Sequence, residues 1–319
     1  GTVPVALGSD SGGSVRQPAA FCGVVGYKPS YGLLSRYGLV AFASSLDQIG
    51  LFTRSVSCLF PLMGCMTGLD PRDSTSIEGP RNWSTQKVDP GSLRIGVLPT
   101  RFLEGVQTEI LQAYNATLSW YVSQGAKVVE VPMADFDRGL SVYYIVAVAE
   151  ASANLARFDG VRYGLRHAAP TLEAMYDESR SRGFGSEVIR RILLGTHVLS
   201  AGYHDAYYTT ARRVQKLIQD QHNASFDICD VLLTPTTAST AFELGSKTKD
   251  PISMYRSDQF TVCANLAGIP ALSVPCGVDD RGLPMGLQFV GRQGDDVRLL
   301  SIAAAWEAAH PFTSRPRDV

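Results

Sequence analysis

Ser14 ends the run Gly8-Ser9-Asp10-Ser11-Gly12-Gly13-Ser14, in which every residue except Asp10 is Gly or Ser. Such a run lets backbone N–H groups come close to a ligand, because glycine has no Cβ to hold it away. Three chemistries use a loop of this kind. A phosphate cradle needs a Lys followed by Ser or Thr at its end, and here Gly13 leads to Ser14, Val15 and Arg16 instead. A dinucleotide fingerprint needs Gly-x-Gly-x-x-Gly, which the run does not supply. The third chemistry is nucleophilic. Ser14 would attack a carbonyl carbon while the amides of Ser11, Gly12 and Gly13 converge on the oxygen that turns negative. A tight Gly/Ser turn with no chemistry accounts for the same residue types.

Other reactive side chains give less. Cys22, Cys58, Cys65, Cys229, Cys263 and Cys276 are scattered, without a Cys-x-x-Cys pair or a close His. They read mostly as small buried hydrophobes of a reducing compartment, and a zinc site is not expected. His167, His197, His204, His222 and His310 have no Ser or Asp motif around them and are expected at the surface or in packing. Lys28 is not expected to act as a catalytic base.

Several elements must hold the loop in place. The stretch after it, "GVVGYKPSYGLLSRYGLVAFASSLDQIG", is broken by Gly and Pro and predicts loops and short strands at the edge of a core. Ser55 to Met66 is apolar at helical spacing, and 68–91 is rich in Pro, Asp, Ser and Gly, predicting an exposed connection. A β-α-β unit follows. Leu93–Leu98 and Lys127–Val131 are its strands, and Ile110, Leu111, Tyr114, Leu118, Tyr121 and Val122 fall on one helical face, ended by Gly125. A parallel pairing of the two strands is the natural closure. Residues 142–222 are helical in composition. Strands return at Asp230–Thr234, Ala271–Pro275 and Gly286–Val290, and a final helix begins near Asp295. The predicted class is α/β, with a mixed, mainly parallel sheet sandwiched between helical layers, in a single domain over 1–319.

The 319 residues, 45% hydrophobic and 18% charged, suffice for a large core. A net charge of −1 gives no global field for nucleic acid or anionic lipid. No apolar run approaches the roughly 20 residues of a membrane span, so no membrane partner is expected.

The string from Gly8 through "GSVRQPAAFCGVVGYKPSYGLLSRYGLVAFASSLDQIG" resembles the second half of the amidase signature. Within that family the chain is most similar to the A subunits of tRNA-dependent glutamyl/aspartyl amidotransferases. The blocks "AEASANLARFDGVRYG", "GSEVIRRILLGTHVLSAGYHDAYY", "LLTPTTASTAF", "DPISMY" and "NLAGIPALSVPCG" carry that likeness. The resemblance implies the amidase signature fold, incomplete at its N-terminus. It also implies a Ser–cis-Ser–Lys triad with Ser14 as acyl-ester nucleophile and Ser11, Gly12 and Gly13 as oxyanion backbone. The family's Lys and cis-Ser lie upstream of the residues given, so the chain alone is expected to be inactive.

Further implications concern substrate and partners. Free glutamine offers an α-carboxylate and an α-ammonium, and a selective pocket supplies one cation and one anion. By resemblance these are Arg191 and Asp258. The alternatives are a solvated surface charge for Arg190 or Arg191 and a helix cap for Asp258. Tyr143 and Tyr144 could line the same pocket or belong to the core. No cofactor is implied in this chain. ATP and Mg would be used by the complex, chiefly through a B subunit that also binds charged tRNA, with a small C subunit wrapping both. A bacterial cytoplasmic setting is expected, with a mitochondrial or chloroplast interior as the alternative. A free-standing amidase and a non-catalytic assembly protein of the same fold stand as competing readings.

Overall fold

The computed structural model describes residues 3–247, 250 and 254–314. Residues 251–253 of the "DPISMY" block lie outside them. Near the N-terminus, β1 (Val5–Asp10) runs into helix α1 (Arg16–Cys22), followed by β2 (Val25–Lys28) and β3 (Gln48–Thr53). Helix α1 is short because Gly23 stops it. That residue sits at φ 65 and returns its N–H to the Ala19 carbonyl. After α2 (Leu59–Met66) come β4 (Arg94–Val97), α3 (Thr108–Ser123) and β5 (Lys127–Glu130). Four longer helices follow: α4 (Gly139–Asn154), α5 (Leu172–Gly183), α6 (Ser186–Leu199) and α7 (Thr210–Ile228). The chain closes with β6 (Val231–Pro235), α8 (Val262–Leu266), β7 (Ala271–Val278), β8 (Pro284–Val290) and α9 (Asp296–Ala309).

All eight strands share one sheet, ordered β1-β3-β2-β7-β8-β6-β4-β5. The β4–β5 pair is parallel, as the β-α-β pattern predicts, and β4–β6 is parallel too. The other five pairings are antiparallel, so the sheet is mixed but not mainly parallel. The reason is connectivity: β7 and β8 are joined by a short turn through Gly282 (φ +80), which only an antiparallel hairpin permits. The expectation for residues 23–50 also changes. Strand β2 lies inside the sheet between β3 and β7, and all four of its residues are buried.

Adjacent residues of β6 separate the two sides of the sheet. Leu233 packs with Leu272, Phe289 and Trp306, whereas Leu232 packs with Ala147, Phe260 and Ile269. Side chains alternate along a strand, so these are two cores with the sheet between them. In α3 the buried residues are Ile110, Tyr114, Thr117 and Tyr121, and Val122 is exposed rather than inward-facing. Residues 68–89 form neither helix nor strand, and Trp83 is the buried anchor within them.

The helical stretch Phe136–Arg157, 22 residues, is long and apolar enough to cross a membrane by length and composition, contrary to the sequence expectation. Its apolarity has an internal cause: Val142, Val146, Ala147, Val148, Ala149 and Ala151 are buried against neighbouring elements. The cysteines differ as well. Cys229 and Cys263 are buried and Cys276 is partly so, but Cys22, Cys58 and Cys65 are exposed.

Candidate active site

Strand β1 delivers Asp10 from the sheet into a fully buried position. There its carboxylate accepts the amides of Gly13 (2.8 Å) and Val15 (3.1 Å), which folds the loop back on itself. It also accepts Arg16 Nε (3.1 Å) and Nη2 (3.0 Å) and Asn265 Nδ2 (2.9 Å). Arg16 completes its fork by donating from Nη1 to the Thr261 carbonyl (2.9 Å) and Gln288 Oε1 (2.7 Å), and from Nη2 to Asn265 Oδ1. All five guanidinium donors are thereby used. Burial alone would raise the Asp10 pKa, but the charge and hydrogen bonds of Arg16 outweigh it and hold the group at about 2. Lys28 is buried nearby and donates to the Pro29 carbonyl (2.9 Å). Burial, aided by the Arg16 charge, lowers its pKa to about 7.

Ser14 stands above this network, exposed, at the turn into α1. Its hydroxyl has no hydrogen-bond partner among the described residues. The two glycines before it are fixed by close packing. Gly13 has φ +138, and a Cβ there would overlap Thr261 Oγ1, while one on Gly12 would overlap the Tyr143 ring. Thr261 Oγ1 donates to the Gly12 carbonyl at 2.6 Å. The oxyanion expectation changes at one position, because the Gly13 amide points inward to Asp10. Among the described residues the amides of Ser11, Gly12 and Ser14 have no such engagement. The Ser11 hydroxyl is structural: it donates to Asp47 Oδ1 (2.6 Å), whose other oxygen accepts the Phe42 and Ala43 amides.

Arg191 and Asp258 line one cavity of about 460 Å³, together with Gln17, Tyr144, Glu187 and Tyr255. Arg191 projects from α6, donates from Nε to Glu187 Oε1 (2.8 Å) and lies over the rings of Phe42 and Tyr144. Arg190 is the surface member of the pair and meets Glu187 Oε2 (2.5 Å). Asp258 does not cap α8. It accepts Gln17 Nε2 (2.6 Å) and the Tyr144 hydroxyl (3.2 Å). Burial pushes its pKa up to about 6, the Tyr144 bond and the Arg191 charge opposing and the Asp10 charge adding to the rise.

Gln17 carries the geometric link. It lines this cavity and lies three residues, about one helical turn, beyond Ser14, which itself does not line it. Nothing in its type marks it in the sequence, and the seven-residue helix that places it after Ser14 is too short to carry a readable period. Glu187, by contrast, was visible as the i, i+4 partner of Arg191. Tyr144 belongs to the cavity and Tyr143 to the support of Gly12, which separates the two neighbouring aromatics. A larger cavity of about 590 Å³ lies alongside and shares Lys247, but the charged pair does not line it, and Ser14 lines neither cavity. Among the described residues no group of three or more His, Cys, Asp or Glu side chains is placed to hold a metal ion.

The site is thus a buried Asp–Arg network beneath a Gly-Gly-Ser loop on a mixed α/β sheet. Residues 1–300 match the Amidase family, and the chain belongs to it. It is 51% identical over 313 residues to the A subunit of glutamyl-tRNA(Gln) amidotransferase from Microcystis aeruginosa, covering 98% of this chain and 65% of that protein. The same-named protein of Thermosynechococcus vestitus is 51% identical over 310 residues, covering 96% of this chain and 64% of its own length. The chain thus spans about 65% of the length of these curated relatives. Among solved structures, the A subunit of the Thermotoga maritima glutamyl-tRNA(Gln) amidotransferase superposes with TM-score 0.77 at 40% identity, over 98% of this chain and 64% of that one. The K. lactis urea amidolyase gives TM-score 0.78 at 26% identity, over 98% of this chain and 18% of that one.

Proposed function

We propose that this chain is the glutamine-hydrolysing part of a tRNA-dependent amidotransferase of the bacterial cytoplasm, supplying ammonia to convert Glu-tRNA(Gln) to Gln-tRNA(Gln). The observation that carries the reading is the cavity holding Arg191 and Asp258, lined also by Gln17, which lies three residues after Ser14 and donates to Asp258. The lining holds Arg190, Arg191 and Lys247 with Glu187 and Asp258; Glu187 takes up Arg190, and Arg191 with Asp258 is the pair that fits the α-carboxylate and α-ammonium of a free amino acid. An acyl-amide hydrolase would use an apolar channel there. The likeness to amidotransferase A subunits supports the same reading.

In this mechanism Ser14 Oγ attacks the side-chain carboxamide carbon of glutamine. Free amides of the loop stabilise the oxyanion, and its collapse expels ammonia and leaves a γ-glutamyl ester on Ser14. Water then releases glutamate. The proton relay is the Lys and cis-Ser of the amidase signature, which are not among the residues of this chain. The ammonia passes to a B subunit that binds ATP, Mg and charged tRNA, with a C subunit completing the assembly. The complete natural protein with Ser14→Ala, assayed with its partner subunits, should lose glutamine hydrolysis and keep amidation from added ammonia. Normal glutamine turnover by that variant would remove Ser14 from the mechanism.

A further inference from the structure

Resting on the reading of Arg191 as the carboxylate-binding cation, we infer that Glu187 and Tyr255 form a latch that aims the Arg191 guanidinium at the ligand. Glu187 stands in the first turn of α6, four residues before Arg191. A pair at that spacing is common on helix surfaces, where it adds little to stability. Glu178–Arg182 and Asp220–Lys216 are of that ordinary kind, with the basic side chains 61% and 65% exposed. Arg191 is different: its side chain is 23% exposed and its guanidinium lies over the Phe42 and Tyr144 rings.

Two further features give the pair a task. Glu187 engages Arg191 at Nε, and among the described residues neither Nη makes a hydrogen bond. The end of the fork, with its two parallel N–H groups, therefore stays open for a carboxylate. The same Glu187 oxygen accepts the Tyr255 hydroxyl at 3.1 Å. Tyr255 stacks on Tyr144 (ring centres 4.0 Å apart) and precedes Asp258 by three residues. The latch thus ties α6, which carries the cation, to the segment carrying the anion, and fixes their separation. Glu187 and Tyr255 touch Arg191 or each other and not the reacting atoms, so they are positioning residues.

The test uses the complete natural protein and three amides. Glutamine has both charges, glutaramate lacks the ammonium, and 4-aminobutanamide lacks the carboxylate. Glu187→Gln and Tyr255→Phe should each raise KM for glutamine and glutaramate, roughly tenfold for Glu187→Gln, with kcat little changed. KM for 4-aminobutanamide should stay as it was. Equilibrium binding of glutamine should weaken by the same factor. Arg191→Ala serves as the reference. If it loses the carboxylate-bearing amides selectively and the latch variants do not, the latch is overturned while the pocket reading stands. If Arg191→Ala affects all three amides equally, the pocket reading falls and takes the latch with it.

Discussion

Asp258 shows how one residue's surroundings set when it can work. Its carboxyl keeps a proton up to about pH 6 because burial disfavours the charge. Below that pH it is neutral and cannot pair with an ammonium. The expected result is an acid limb near pH 6 in kcat/KM for glutamine, falling roughly tenfold per pH unit below it. Glutaramate, without an ammonium, should lack that limb; a shared limb would assign the titration to another group. Stability responds in the opposite sense. A carboxyl raised above its ordinary 3.8 favours the folded state below that value and loses the contribution as pH rises through about 6. Residue by residue, the sequence was most informative where a motif constrains backbone. Ser14, Gly12 and Gly13 stood out because few side chains survive at such a turn. Gln17 and Tyr255 did not, since their role depends on what α6 and 256–258 bring opposite them.

At the scale of elements, the position of Arg191 depends on how closely α6 lies against α4. Gly195, one turn beyond Arg191, faces α4 so closely that a Cβ there would overlap the Val148 carbonyl oxygen. Backbone cannot yield as a flexible side chain can. Gly195→Ala should therefore push α6 outward and destabilise the protein by about 1–3 kcal/mol, measurable by urea unfolding. KM for glutamine should rise with it, because Arg191 moves with the helix; an unchanged KM would separate the helix position from the site. The longer elements were readable because period and length suffice for them: α3, β4, β5 and α9 follow their patterns. The mainly parallel sheet was not, because alternation within a strand carries no record of its partner's direction. Strand β1 and helix α1 were missed, being six and seven residues long and composed around the demands of the loop between them.

Across the whole molecule, the site joins the two ends of the described chain. Arg16 reaches Thr261 and Gln288, 245 and 272 residues further on, and Asn265 reaches back to Asp10 over 255. These bonds have a consequence in time. The loop bearing Ser14 is made well before β8, but its folded shape waits for Gln288 on that strand, 272 residues after Arg16. Closing so long a loop is slow compared with forming α3 or the β7–β8 hairpin. During refolding, the Gly13 and Val15 amides, whose one acceptor among the described residues is Asp10, should gain protection from hydrogen exchange late and together with β8. Early protection would mean that Asp10 organises the loop without Arg16's distant partners. If protection is late, a growing chain carries Ser14 without a loop able to use it until β8 has been made and paired.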